Sequence, residues 1–243
     1  MVSKKIRLDQ RVLQEKPEYS RQQIQSWIMQ GKVLVDGKPI TKAGTPVSCD
    51  VAIEVTAQSP RYVSRAGYKL EGALSSFNID VTGLVALDAG LSTGGFTDCL
   101  LQAGAAHVYG IDVGYGQVHE KISSDPRVTV YERTNLRYVE QLPQLVDLVT
   151  LDVSFISVLK VINVVYKLAK PGAQLIVLIK PQFEARPDQV GKGGIIRSED
   201  IRQETLKNVI AGISNSGFTL KGVIDSPLPG TDGNLEFLAY FIK

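Results

Sequence analysis

LVALDAGLSTGGFTD, residues 84–98, is the stretch from which the rest of the chain can be read. An apolar run ends in Asp88. Gly90, Ser92, Thr93, Gly94 and Gly95 follow, and a helix-like segment begins at Phe96. Strand, glycine-rich turn and helix, in that order, open a nucleotide-binding βαβ unit. Glycines there let backbone approach a ligand closely and bend where a Cβ forbids it. The amides of Gly94 and Gly95 are expected to face that ligand at a helix N-terminus.

The ligand is constrained by what the stretch lacks. A dinucleotide site shows G-x-G-x-x-G, which is absent here. Asp88 stands two residues before the first glycine, where a carboxylate repels phosphate. It suits a ligand with positive charge and no phosphate, and S-adenosylmethionine is one: a sulfonium, an ammonium, a ribose and an adenine. The next apolar run rises to Asp112, at the right distance to bond ribose hydroxyls. A glycine-rich turn in an ordinary α/β domain is the simpler account. Asp88 and Asp112 together favour the cofactor.

Working outward, residues 64–79 read as a helix, with Ala66, Leu70, Ala73, Leu74 and Phe77 as its apolar stripe. Lys69 sits beside that stripe, where a lysine commonly snorkels to water. Further strands end near Tyr131 and Asp152, and a helix is expected over 155–168. LIVLI then forms a buried strand with Lys180 at its carboxyl end. Strands alternating with helices give a parallel sheet, and ligands bind beyond the carboxyl ends of such strands. That places Asp88, Asp112, Asp152 and Lys180 on one rim. Residues 184–197 read as a long loop and Ser198 as the cap of the next helix. A strand at GFTLKGVIDS and a last one over 235–242 are separated by a turn, so they are expected to be antiparallel. Glu236, at the start of the last strand, then joins the rim.

The front of the chain differs. Leu8, Val12 and Leu13 share one helical face. Ser20, with Gln23 three residues on, caps a second helix carrying Ile24, Trp27 and Ile28. Asp36-Gly37 is a hairpin turn signal between two short strands. Residues 1–43 hold nine Lys and Arg against four Asp and Glu. This local excess suits a polyanion, although a solvated charged face explains it as simply. Residues 57–63 read as a linker.

These first 55 residues resemble the small α-L RNA-binding module of ribosomal and RNA-modifying proteins. Its carriers are RLD at 7–9, SRQQIQSWIMQGKVLVDGKPI at 20–40 and the apolar tail at 51–55. The resemblance implies an RNA-binding module over 1–56, with Arg7, Arg11, Arg21, Lys32 and Lys38 as phosphate contacts and Arg65 beyond it. The whole chain resembles the TlyA, or haemolysin-like, family of FtsJ-like ribosomal RNA 2′-O-methyltransferases. The carriers are SRAGYKL at 64–70, LDAGLSTGGFTDCLLQAGA at 87–105, GIDVGYGQ at 110–117, ERTNLR at 132–137, LDVSFISV at 151–158, IKPQFE at 179–184, GKGGIIR at 191–197 and SPLPGTDGNLEF at 226–237.

That resemblance implies an α/β, Rossmann-like methyltransferase fold over 64–243. Its seven-stranded sheet is mostly parallel, with the last strand antiparallel. It implies a Lys-Asp-Lys-Glu catalytic set at Lys69, Asp152, Lys180 and Glu236. S-adenosylmethionine would be held by Asp88, Gly90, Ser92, Thr93, Gly94, Gly95, Phe96, Asp112, Val113, Asn135 and Asp152. The substrate implied is a cytidine ribose in ribosomal RNA or ribosomal subunits. The family motif more often has Ala where this chain has Leu91. Two other readings stay open: an RNA-binding assembly factor with an inactive methyltransferase domain, and a nicotinamide-dependent enzyme.

Composition sets the remaining bounds. The chain has 243 residues, 44% hydrophobic and 21% charged, with net charge +2. Cys49, Cys99, His107 and His119 fall in no metal-ligand spacing, so no metal is expected. No span of ~20 apolar residues is present, so membrane insertion is not expected. No targeting segment is visible, and the cytoplasm is the expected compartment.

Overall fold

The computed structural model describes residues 5–57, 60–230 and 233–243. Gln58 and Ser59 of the expected linker, and Thr231 and Asp232 of the turn before the last strand, lie outside them. The chain divides into two compact units between Pro60 and Arg61.

In the front unit, β1 (Lys5–Arg7) leads into α1 (Leu8–Glu15) and α2 (Arg21–Met29). Then come β2 (Val33–Val35), β3 (Lys38–Pro39), β4 (Pro46–Ser48) and β5 (Ile53–Val55). Leu8, Val12, Ile24, Trp27 and Ile28 close over Val33 and Val47, with Leu13 at the edge of this core. Ser20 caps α2, its Oγ accepting from the Gln23 amide at 3.2 Å. Asp36 and Gly37 take φ of 49° and 75°. Two successive positive φ values match the twist of the flanking strands. The sequence reading missed β1, which pairs antiparallel with β4. Three residues are too few to show an alternation.

The second unit contains α3 (Ala66–Ser76), β6 (Val85–Ala89), α4 (Gly95–Gln102), β7 (His107–Ile111), α5 (Glu120–Ser123) and β8 (Val128–Tyr131). It continues with β9 (Val146–Leu151), α6 (Ile162–Leu168), β10 (Ala169–Ile179), α7 (Pro181–Glu184), α8 (Glu199–Asn215), β11 (Thr219–Asp225) and β12 (Phe237–Ile242). The sheet order is β11-β12-β10-β9-β6-β7-β8. β6 to β10 pair in parallel, and β12 is antiparallel to both its neighbours. This is the expected fold class: α/β, a seven-stranded and mostly parallel sheet with an antiparallel last strand.

Alternation along the strands divides the core. Leu87, Val149, Val177 and Ala239 pack with α6 and α8 on one face. Ala86, Leu148, Ile176 and Leu238 pack with α3 and α4 on the other. Ser198 caps α8, its Oγ accepting from the Ile201 amide at 3.4 Å.

Two expectations are corrected. The helix expected over 155–168 forms only from Ile162, after a single 3₁₀ turn at Val158–Lys160. Phe155 has φ of +64°, a left-handed backbone that no α-helix contains. Ser157 and Glu184 accept the amides of Leu159 and Val158, which stops the turn from extending backward. The loop expected over 184–197 carries its own structure, a 3₁₀ turn at Pro187–Gln189 and a bridge between Gly191 and Ile195.

Candidate active site

The sheet delivers charged residues to one rim by a simple rule. Asp112 is the first residue past β7, Asp152 the first past β9 and Lys180 the first past β10. β12 runs the other way, so Glu236 comes just before it. Ile179 lies opposite Phe237 in the ladder, which brings Lys180 and Glu236 to the same level. Lys69 reaches the rim from α3. The four residues form two ion pairs, Lys69 Nζ to Glu236 Oε2 at 2.6 Å and Lys180 Nζ to Asp152 Oδ1 at 2.6 Å. All are largely sequestered, with side-chain exposures of 11% and 2% in the first pair and 12% and 16% in the second. Charges taken this far from water persist only when paired. Lys69 therefore does not snorkel; it ends on Glu236.

Beside this rim lies a cavity of about 520 Å³. Gly90, Ser92, Asp112, Val113, Asn135 and Asp152 all line it. The Asp112 carboxylate accepts the Ser92 amide on Oδ2 and the Gly114 amide on Oδ1, both at 2.7 Å. Each oxygen retains a second lone pair for a ligand hydroxyl. Gly90, at φ of +93°, lets the loop lie against the Asp152 backbone: a Cβ there would stand 2.2 Å from the Asp152 carbonyl oxygen. Thr93, Gly95 and Phe96 line a smaller adjoining cleft. A cleft of similar volume, about 510 Å³, lies between Arg61, Glu71, Asn78 and Cys99 and includes no rim residue.

Two details of the glycine stretch differ from expectation. Asp88 does not reach the rim or the cavity. It is the last residue but one of β6 and fully buried. It points the way Ala86 does, into the α4 layer, where Thr97 and Thr150 donate to it at 2.7 and 3.1 Å. Burial pushes its pKa up to about 7, against the two hydroxyl bonds, and the nearby Asp152 charge adds to the rise. The Gly94 amide donates to the Leu91 carbonyl at 2.8 Å, and Gly94 itself is crowded by Ile122. Gly95 is crowded by Ser64 and Ala66. Both glycines let neighbouring segments pack, and Gly95 also lines the small cleft beside the cavity. Leu91 packs onto Gly110, where a Cβ would meet its methyls at 2.7 Å.

Among the basic candidates, Arg7 and Arg21 converge on Asp9. Arg7 donates from Nε and Nη2 at 3.0 Å, and Arg21 from Nε at 3.2 Å and Nη2 at 3.0 Å. Gln25 adds a bond at 2.7 Å. Asp9 is fully buried, while both arginine side chains are about half exposed, 48% and 50%. Chiefly the Arg7 bond, with those from Gln25 and Arg21, holds the Asp9 carboxyl well below its usual range, against the effect of burial. Lys32, Lys38 and Arg65 are exposed. Arg11 is paired with Glu15 at 2.6 Å.

Sequence reading missed two residues at the rim. Ser154 Oγ accepts a hydrogen bond from Lys180 Nζ at 2.8 Å. Its signal was the two-residue spacing from Asp152, which puts both side chains on one side of an extended chain. Gly230 lies against Glu236, where a Cβ would stand 2.1 Å from Oε1. No local pattern announces that contact. Among the described residues no cluster of His, Cys, Asp and Glu could hold a metal ion. No helix among them is long and apolar enough to cross a membrane.

The FtsJ-like methyltransferase family model matches residues 62–243. The chain belongs to that family. The S4 domain model matches residues 6–49 of this FtsJ-like chain. A Mycobacterium tuberculosis protein named 16S/23S rRNA (cytidine-2′-O)-methyltransferase TlyA is 43% identical over 242 residues, covering 98% of this chain and 90% of that protein. Hemolysin A of Brachyspira hyodysenteriae is 41% identical over 240 residues, covering 98% of this chain and 100% of that protein. A solved Streptococcus thermophilus structure carrying a hemolysin name is 38% identical, with a TM-score of 0.76, over 98% of this chain and 88% of that one. The cofactor of this methyltransferase family is S-adenosylmethionine. The cavity fits it, with a carboxylate open to ribose hydroxyls and a glycine where backbone must come close.

Proposed function

We propose that this chain methylates the 2′-hydroxyl of a cytidine in ribosomal RNA. The observation that carries the reading is the pair of ion pairs, Lys180 with Asp152 and Lys69 with Glu236, beside a cavity suited to S-adenosylmethionine. Bound there, the cofactor supplies a methyl group on a positively charged sulfur that leaves as a neutral thioether when the hydroxyl oxygen takes the carbon.

The protein's part is position and charge. A ribose hydroxyl is a weak nucleophile, and its proton must leave as the new bond forms. Lys180 Nζ takes that proton or holds the oxygen's growing negative charge. Asp152 keeps the amine at the cavity edge, and Asp112 holds the ribose of the cofactor. Asp88 serves as a buried support under the loop. Ser92, Thr93, Val113, Asn135 and Phe96 complete the walls, while Gly94 and Gly95 permit the packing behind them. The front unit supplies RNA affinity through Arg7, Arg21, Lys32 and Lys38, with Arg65 contributing from the second unit. Ribosomal RNA as substrate implies work in the cytoplasm.

The test is a map of 2′-O-methyl positions in ribosomal RNA from cells with the protein, without it, and with only its Lys180→Ala variant. A cytidine methylated in the first alone supports the reading. Identical maps from all three sink it.

A further inference from the structure

We infer that Ser154 is a positioning residue that sets the direction of the Lys180 amine. The inference rests on the catalytic reading of Lys180 above and adds a residue to it. Lys180 Nζ has two close acceptors of different character. Asp152 Oδ1 is 2.6 Å away, yet it takes no aligned hydrogen bond. The contact is ionic, and attraction between charges has little preferred direction. The aligned bond goes to Ser154 Oγ at 2.8 Å. Asp152 thus holds the charge in place, and Ser154 turns it.

Direction matters because of how few positions a lysine nitrogen has. An ammonium has three N–H groups, and a neutral amine has two and a lone pair. With one N–H on Ser154 and another drawn toward Asp152, a single position is left for a substrate hydroxyl. It is the lone pair if the amine is neutral and the third N–H if it is charged. Without Ser154 the amine keeps only its contact with Asp152, and the remaining position loses its fixed direction.

The local backbone is shaped for this contact. Phe155, the next residue, has φ of +64°, a conformation a bulky side chain adopts only where its surroundings impose it. The Val158 amide is held by Glu184 at 2.8 Å, so the segment is anchored at both ends, on β9 and on α7. Ser154 also lines the cavity that Asp152 borders, which puts the hydroxyl beside the reacting groups.

The experiment uses the full chain, tritiated S-adenosylmethionine and ribosomal subunits from cells lacking this protein. Four variants are compared in single-turnover methyl transfer: Ser154→Ala, Ser154→Thr, Lys180→Ala and the Ser154→Ala/Lys180→Ala double. Ser154→Ala is expected to slow transfer about 10-fold, the low end of the loss of a hydrogen bond to a charged group. Cofactor Kd and the KM for subunits should stay within about twofold of wild type. Ser154→Thr, which keeps the hydroxyl, should retain at least about a third of the rate. The double variant should be no slower than Lys180→Ala, because a residue acting through another loses its effect once that partner is gone.

Several results overturn the inference alone while Lys180→Ala is slow. These are Ser154→Ala at the wild-type rate, a loss confined to Kd or KM, a threonine variant as slow as the alanine one, or a double variant slower again by the full factor. Lys180→Ala at the wild-type rate removes the catalytic reading of Lys180, and this inference with it.

Discussion

Asp9 in the front unit and Asp152 in the second both hold cations, and they present them oppositely. Around Asp9 the carboxylate is buried and its arginines are about half exposed, at 48% and 50%. At the rim the cations themselves are covered, with Lys69 at 11% and Lys180 at 12%. One buried carboxylate cannot neutralise two guanidiniums, so the front cluster keeps an outward positive charge for a polyanion. The rim pairs balance charge for charge, and Asp152 of one of them lines a cavity. In sequence all these residues are simply basic or acidic. Burial separates an exposed basic surface from a sequestered set of ion pairs.

The largest effect that can break this comparison is at Lys180. Lys180→Ala should lower the methylation rate by ~10²–10⁴, the usual contribution of a positioned acid–base group. S-adenosylmethionine binding should change little, since the contacts proposed for the cofactor are Asp112 and the loop. Lys180→Arg should not restore the rate, because a guanidinium keeps its proton near neutral pH. Substantial activity in the arginine variant, measured by methyl incorporation, means charge alone suffices and removes the general-base role.

Asp88 extends the comparison to a buried carboxylate with no cation. Folding raises its pKa from ~3.9 when unfolded to about 7, mainly by burial. Between those values the folded chain keeps a proton that the unfolded chain has lost, so stability falls as pH rises from ~4 to ~7. Asp88→Asn has no such proton. It should be more stable than wild type above pH ~7, by on the order of 2–4 kcal/mol, with the gain vanishing near pH ~4. Urea unfolding of the second unit across that range measures it. A pH-independent difference between the two proteins removes the titration of Asp88 as its cause.

At the cavity wall the expected loss is smaller. Asp112→Ala removes a carboxylate placed for ribose hydroxyls and should weaken S-adenosylmethionine binding by about 1.5–3 kcal/mol. Calorimetry giving unchanged affinity takes Asp112 out of the site. The variant also frees the Ser92 and Gly114 amides, so part of the loss is loop order.

How much of this could be read beforehand follows from strand geometry. Asp112, Asp152 and Lys180 were legible because each is the first residue past a strand whose last residues are mostly apolar. Asp88 was misplaced by one position. It stands inside β6, where alternation turns it toward α4 and away from the rim. The antiparallel pairing of β12 with β11 was expected from the turn between them, and β12 is antiparallel to β10 as well. Ser154 and Gly230 were not singled out because their importance lies in contacts with residues 26 and 6 positions away. The helix expected from 155 failed for a related reason. Phe155 takes a left-handed backbone, and Glu184 and Ser157 hold the amides of Val158 and Leu159 just beyond it, so helix propensity there does not decide the outcome.

The smallest effect tests the front unit, and it turns on how its arginines are held. Arg7 is fixed by Asp9 yet open to solvent, whereas Arg11 is satisfied by Glu15 one turn along its own helix. A guanidinium already held in place loses less freedom when it meets a phosphate. Binding of ribosomal subunits, measured without cofactor over a salt series, should therefore separate them. Arg7→Ala should reduce the slope of log affinity against log salt by about 0.7–0.9, the loss of one phosphate contact. At fixed moderate salt this is a few-fold in affinity. Arg11→Ala should leave the slope unchanged. Asp9 keeps Arg21 and Gln25 in the Arg7 variant, so the front unit should stay folded, which circular dichroism checks. Equal slope changes in the two variants mean that the helix face as a whole attracts RNA, and the Asp9 cluster has no special part in it.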